Sequence, residues 1–176
     1  MKRLLRRKKA DQSERGFSFV ETMLAVGILA TAAVSLGAAL TASLVVTRVS
    51  EQQLRAKQMC TSAIESILAM RDIAMVNQTM DYSKINNVSN HGIFLDGPQQ
   101  VTDSEGPDGI IGTADDNGNN VAGYTRTILF TDVADAARPL DPISMRKVVV
   151  TVSYSDRGQT RTETMTSYIA NLGQSD

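Results

Sequence analysis

Residues 22–47 read TMLAVGILATAAVSLGAALTASLVVT, twenty-six residues with no charge among them. As a helix rising 1.5 Å per residue, this run is longer than the roughly 30 Å hydrocarbon core of a bilayer. A chain of 176 residues has too small an interior to hide such a helix on all sides. The run is therefore expected to insert in a membrane. An ordinary secretory signal has an apolar region of ~7–15 residues followed by a small-residue cleavage site. Here the candidate Ala30-Thr31-Ala32 falls in the middle of the run. A single-span anchor accounts for the length better.

Toward the N-terminus the charge is strongly one-sided. Lys2, Arg3, Arg6, Arg7, Lys8, Lys9 and Arg15 stand against Asp11 and Glu14, a local charge of +5. The rest of the chain carries eleven bases and seventeen acids, so its charge is -6. Bases before the span outnumber those just after it (Arg48, Arg55, Lys57), which predicts a cytoplasmic N-terminus. One acid interrupts the apolar pattern. Glu21 follows Phe17-Ser18-Phe19-Val20 and precedes the whole run. A carboxylate within a membrane segment costs roughly 2.5–3.5 kcal/mol on insertion scales and usually marks function. A Glu in the first turn of a helix is also favoured by the helix dipole, with its carboxylate reaching the interface. The physics alone leaves both readings open.

Arg15-Gly16-Phe17-Ser18-Phe19-Val20-Glu21, with a basic leader before it and an apolar helix after it, resembles the processing site of type IV pilins and type II secretion pseudopilins. The resemblance implies cleavage between Gly16 and Phe17 by a prepilin peptidase and N-methylation of Phe17. It gives Glu21, the fifth mature residue, a role in subunit assembly. Pairing Glu21 with a neighbour's Phe17 amine would remove two costly isolated charges together. The partners implied are the peptidase, other pilin or pseudopilin subunits in a helical filament, an inner-membrane assembly platform, and lipid before assembly. The implied location is the bacterial inner membrane, single-pass with a periplasmic C-terminal domain, and then a filament in the periplasm or on the cell surface. Many major pilins have a short leader and a Pro near mature position 22. Here the leader is 16 residues and that position is Ala38, preceded by Gly37. These departures point to a minor subunit.

Beyond the span the helical spacing continues. Leu54, Ala63, Ile64, Ile67, Leu68 and Met75 keep an approximate three-four helical phase with charged residues between, and no Pro occurs before Pro98. One helix is predicted from about Phe17 to about Val76, its second half amphipathic. Met59, Met70, Met75 and Met80 read as core filler on it, and Cys60 as a small core residue. Residues 92–95 predict a short strand. Residues 124–130 alternate with Tyr124, Ile128 and Phe130 on one face. Residues 145–154 place Val148, Val150, Val152 and Tyr154 together, and residues 160–170 alternate in the same way. Residues 155–159 read as a hairpin loop with Gly158 at positive φ. The expected fold is α+β and pilin-like: a long N-terminal helix packed on a small antiparallel sheet. The organisation is leader 1–16, membrane and assembly helix 17–47, amphipathic continuation 48–77 and globular domain 78–176. The hairpin at 148–169 also resembles the C-terminal hairpin of some minor pilins and minor pseudopilins.

The globular part carries an acidic, glycine-rich loop at 96–120. Residues 85–125 have no Lys or Arg but hold Asp96, Asp103, Glu105, Asp108, Asp115 and Asp116, and seven of the chain's twelve glycines. Hard oxygen ligands on glycine-permitted turns suit Ca²⁺. Asp108, Asp115 and Asp116, with Asp103 next, are the candidate ligands, although the spacing is not that of an EF-hand. A solvated acidic loop is the plainer alternative. No other cofactor is expected. One cysteine excludes an intramolecular disulfide, and one histidine, His91, speaks against a His-based catalytic or metal centre. No Gly-x-Ser-x-Gly or phosphate loop is present, so a non-enzymatic role is expected. The acidic body disfavours nucleic acid. The runner-up function is a single-span, membrane-anchored periplasmic module that binds calcium or a partner.

Overall fold

The computed structural model describes residues 17–77, 81–134 and 145–171. Gly16 and the leader, and Met80, lie outside the described residues, as does the side chain of Met75. Helix α1 spans Phe19–Asn77. Its first turn is closed by the Thr22 amide donating to the Ser18 carbonyl at 3.1 Å, and Glu21 supplies an acid where the N–H groups are unpaired. Gly27 and Gly37 do not interrupt it.

The chain divides into two compact units between Val46 and Thr47. In the first, the apolar side chains lie on every side of the helix. Ile28, Leu29, Val34, Leu40 and Leu44 are each at least 59 % exposed. By length and composition this helix can cross a membrane.

The second unit holds the core. Ala56, Cys60, Ala63, Ile67 and Met70, spaced alternately by four and three, form the buried stripe of α1. The stripe begins with small residues, so the helix approaches the sheet closely. The Cys60 thiol lies 3.8 Å from the Val150 carbonyl and 3.6 Å from that of Glu163. Leu54, expected on this stripe, is 58 % exposed, because it falls off the four-three spacing that starts at Ala56.

The sheet is antiparallel, in the order β1-β2-β3-β4. Its strands are β1 (Gln99–Thr102), β2 (Asn120–Val133), β3 (Met145–Asp156) and β4 (Gln159–Ala170). Alternation works as expected. Tyr124, Ile128, Phe130, Val148, Val150, Val152 and Tyr154 are buried, with Phe94, Ile85 and Ile169 completing the core. The hairpin between β3 and β4 is tighter than the five residues expected. Asp156 pairs with Gln159, and only Arg157 (φ 52°) and Gly158 (φ 79°) turn the chain. Both central residues at positive φ give a type I′ turn, which matches strand twist.

The strand expected at 92–95 is not formed. That stretch contributes one isolated bridge, Asn87 with Phe94, between 3₁₀ turns at Tyr82–Lys84 and Val88–Asn90 and the sheet. The Asn87 side chain takes the place of a strand partner. Its amide donates to the Ile128 carbonyl at 2.8 Å and its oxygen accepts from the Phe130 amide at 3.0 Å. Strand β1 was not foreseen, since Gln99 and Gln100 show no apolar alternation.

Candidate functional site

Two regions carry the residues singled out by sequence. The first is the start of α1. Phe17 is 84 % exposed, and Glu21 lies one turn along, exposed, in the first turn of the helix.

The second is the acidic loop, which hangs on the core by its two isoleucines. Ile110 and Ile111 are buried, and the Ile111 amide donates to the Ser66 hydroxyl of α1 at 3.0 Å. Around that anchor the carboxylates cap backbone amides. Asp108 accepts from the Ile110 amide at 2.8 Å, and Asp115 from the Asp108 amide at 3.2 Å. Gly112 reaches φ +97° directly against the Ile128 side chain, where a Cβ has no room.

At the centre sits the Thr113 hydroxyl, with 4 % of the residue exposed. It lies 2.6 Å from Asp115 Oδ1, 3.1 Å from Asp108 Oδ2 and 3.1 Å from the Ile110 carbonyl. A hydroxyl has one hydrogen to give, so this point holds more acceptors than donors. The Thr113 hydroxyl is also the main reason that the Asp115 carboxyl lies below its ordinary range.

Asp116 turns away from that centre. Its Oδ2 accepts from the Gly112 amide at 2.9 Å and from Arg126 Nη2 at 3.1 Å. Its Oδ1 is buried with no hydrogen-bond partner. Arg126, on the inward face of β2, is 5 % exposed. Burial pulls the pKa of its guanidinium down, and the Asp116 charge opposes that. The pair opens onto a cleft of about 320 Å³ that Arg55, Met59, Asp103 and Glu105 also line.

Asp103 serves a different turn. It accepts from the Asn119 amide at 2.8 Å and from the Asn119 side chain at 3.2 Å, and the latter bond chiefly lowers its pKa. Gly118 sits at φ +104°, a conformation that favours glycine, and a Cβ there would crowd Ser104 as well as the Asp103 carboxylate. The fold thus gathers Asp108 and Asp115 at Thr113, gives Asp116 to Arg126 and leaves Asp103 with Asn119. Among the described residues, no three His, Cys, Asp or Glu side chains are grouped to hold a metal ion.

Arg126 and Arg146 are the functional-looking residues not anticipated. Arg146 Nε pairs with Asp132 at 2.6 Å, and its Nη1 donates to the carbonyls of Tyr82 at 2.7 Å and Ile85 at 2.9 Å. Both arginines share parity with the buried residues of their strands, which is the signal that could have found them.

No protein-family model, curated protein or solved structure matches this chain.

Proposed function

We propose that the chain is a non-catalytic, minor subunit of a type IV pilus or type II secretion pseudopilus. Prepilin peptidase cuts after Gly16 and methylates Phe17. The N-terminus is cytoplasmic, and the pilin-like domain is periplasmic until assembly. The subunit then leaves the bilayer and packs by its helix against neighbouring subunits on an inner-membrane platform. The observation that carries the reading is the first half of α1. Its large apolar side chains are exposed all round, and Glu21 is the one acid among them. Such a surface needs lipid or other helices around it. A single carboxylate at its head is well suited to a neighbour's amine.

Glu21→Ala tests this directly. The variant should be processed like the parent, yet enter filaments at least about tenfold less, a ratio that corresponds to about 1.4 kcal/mol. Filament incorporation equal to the parent's would contradict the assigned role.

A second reading, an anchored module whose loop takes up calcium, rests on the surplus of oxygens around Thr113. Asp108, Asp115 and the Ile110 carbonyl would supply hard ligands there, with water completing the shell. The calcium site and the filament role are compatible in one chain.

A further inference from the structure

Strand β4 ends the sheet, and among the described residues nothing pairs with its outer edge. It is twelve residues long, with no Pro, no Lys and no bulge against β3. These are among the devices that natural edge strands use to refuse partners. The tight turn at Arg157-Gly158 decides which backbone groups are free. In a two-residue I′ hairpin the closing pair, Asp156 and Gln159, exchanges both its bonds, and the pattern alternates from there. Gln159, Arg161, Glu163 and Met165 therefore bond to β3. The N–H and C=O groups of Thr160, Thr162, Thr164, Thr166 and Tyr168 point outward along the edge.

Only two charges lie on this edge, Arg161 and Glu163, on the same face and two residues apart. Arg161 is half-exposed, 3.0 Å from Asp156. Glu163 accepts from Gln53 at 2.9 Å. Their order makes the edge complementary to itself. When two copies pair antiparallel about Thr162, each Arg161 stands opposite the other copy's Glu163, Thr160 stands opposite Thr164, and Gln159 opposite Met165. In that register Thr162 faces Thr162 as a hydrogen-bonded pair. The two Arg–Glu pairs occupy the non-hydrogen-bonded positions, where opposed side chains are closest. A shift of two residues would set Glu163 against Glu163, which the like charges resist.

We propose that the outer edge of β4 is an interaction surface for a second copy of this chain, joined by antiparallel strand addition centred on Thr162. This two-fold contact makes the two sheets continuous. It is head-to-head, so it differs from the polar, repeating contact of a filament and does not depend on the filament reading.

Cysteine cross-linking of the full chain in detergent or bilayers tests the proposal. Cys60 is 1 % exposed and does not compete. Opposed residues in a hydrogen-bonded antiparallel pair have Cα atoms about 5.5 Å apart, within the range that a disulfide spans. Thr162→Cys should give a disulfide-linked dimer at least about tenfold faster than Thr166→Cys or Thr151→Cys, because only the paired position brings two Cα atoms within disulfide reach. Adding Glu163→Arg should slow the Thr162→Cys reaction about tenfold, by opposing Arg161 to arginine twice. The swap Arg161→Glu with Glu163→Arg should restore it. Rescue by the swap also shows that the single variant had not failed merely by unfolding. Equal cross-linking at the three sites, or a Glu163→Arg variant that cross-links like the parent, would overturn the proposal.

Discussion

Arg126 on β2 and Asp116 in the acidic loop form a nearly buried ion pair, Nη2 to Oδ2 at 3.1 Å. The pair fastens the loop to the inward face of the sheet, and the Gly112 amide supports the same carboxylate oxygen. Asp116 is 13 % exposed and Arg126 5 %, so neither charge is well served by water once its partner is gone. Breaking a buried pair from one side is costly, about 3–5 kcal/mol, while replacing both partners is far milder. Arg126→Met should therefore lower stability by about 3 kcal/mol, and adding Asp116→Asn should recover part of that loss. Thermal unfolding of the full chain in detergent, followed by the tyrosine near-UV signal, reads both. A double variant as unstable as the single one would show that the loop is held by other contacts.

The pH dependence has a definite sign. Asp81 is held low mainly by the Ser83 amide, Asp103 by the Asn119 side chain and Asp115 by the Thr113 hydroxyl. A carboxylate whose folded pKa is depressed adds stability above its unfolded value, and that contribution is lost as pH falls through the folded one. The melting temperature should fall below about pH 4, the ordinary aspartate range. Cys60 acts at the other end, since burial raises its pKa. Its contribution is complete below the ordinary thiol value and is lost as pH rises above about 8.5. A melting curve measured from pH 2 to 10 checks both limbs. A melting temperature still rising as pH drops from 5 to 3 would contradict the carboxylate assignment.

If calcium occupies the oxygens around Thr113, the ion should stabilise the domain. Extracellular sites of this kind bind at about 10⁻⁴–10⁻³ M. At 10 mM calcium, mass action then yields about 1.4–2.7 kcal/mol, or several degrees in melting temperature for a domain of this size. Asp108→Asn and Asp115→Asn should each remove most of that gain, whereas Asp103→Asn should leave it. Identical melting in calcium and in EDTA would dismiss the site.

The helix and the three long strands were legible in the sequence because their periods are clear. The four-three spacing of Ala63, Ile67 and Met70, and the alternation from Val148 to Tyr154, appear in the fold as expected. Leu54 misled because size was read before phase. The stripe that faces the sheet begins at Ala56, a small residue that bulk alone does not mark, and continues through Cys60 and Ala63, both of which read as core positions. Arg126 and Arg146 were missed for the opposite reason. Their strand parity put them inside, but charge argued for outside, and parity won because Asp116, Asp132 and backbone carbonyls were there to receive them. Residues 92–95 look like a strand by composition. A side chain, that of Asn87, already occupies the backbone groups such a strand would need, and no local pattern announces that. Within the loop, the sequence marked Asp103, Asp108, Asp115 and Asp116 as one cluster, whereas the fold divides them between Thr113, Arg126 and Asn119, a division that depends on contacts across the fold.

The mature N-terminus tests the central proposal most directly. Mass spectrometry of the N-terminal peptide and of the intact chain, taken from the native envelope, should find a protein that begins at N-methylated Phe17. A chain beginning at Met1 in cells with an active prepilin peptidase, or one beginning inside residues 22–47, would contradict it.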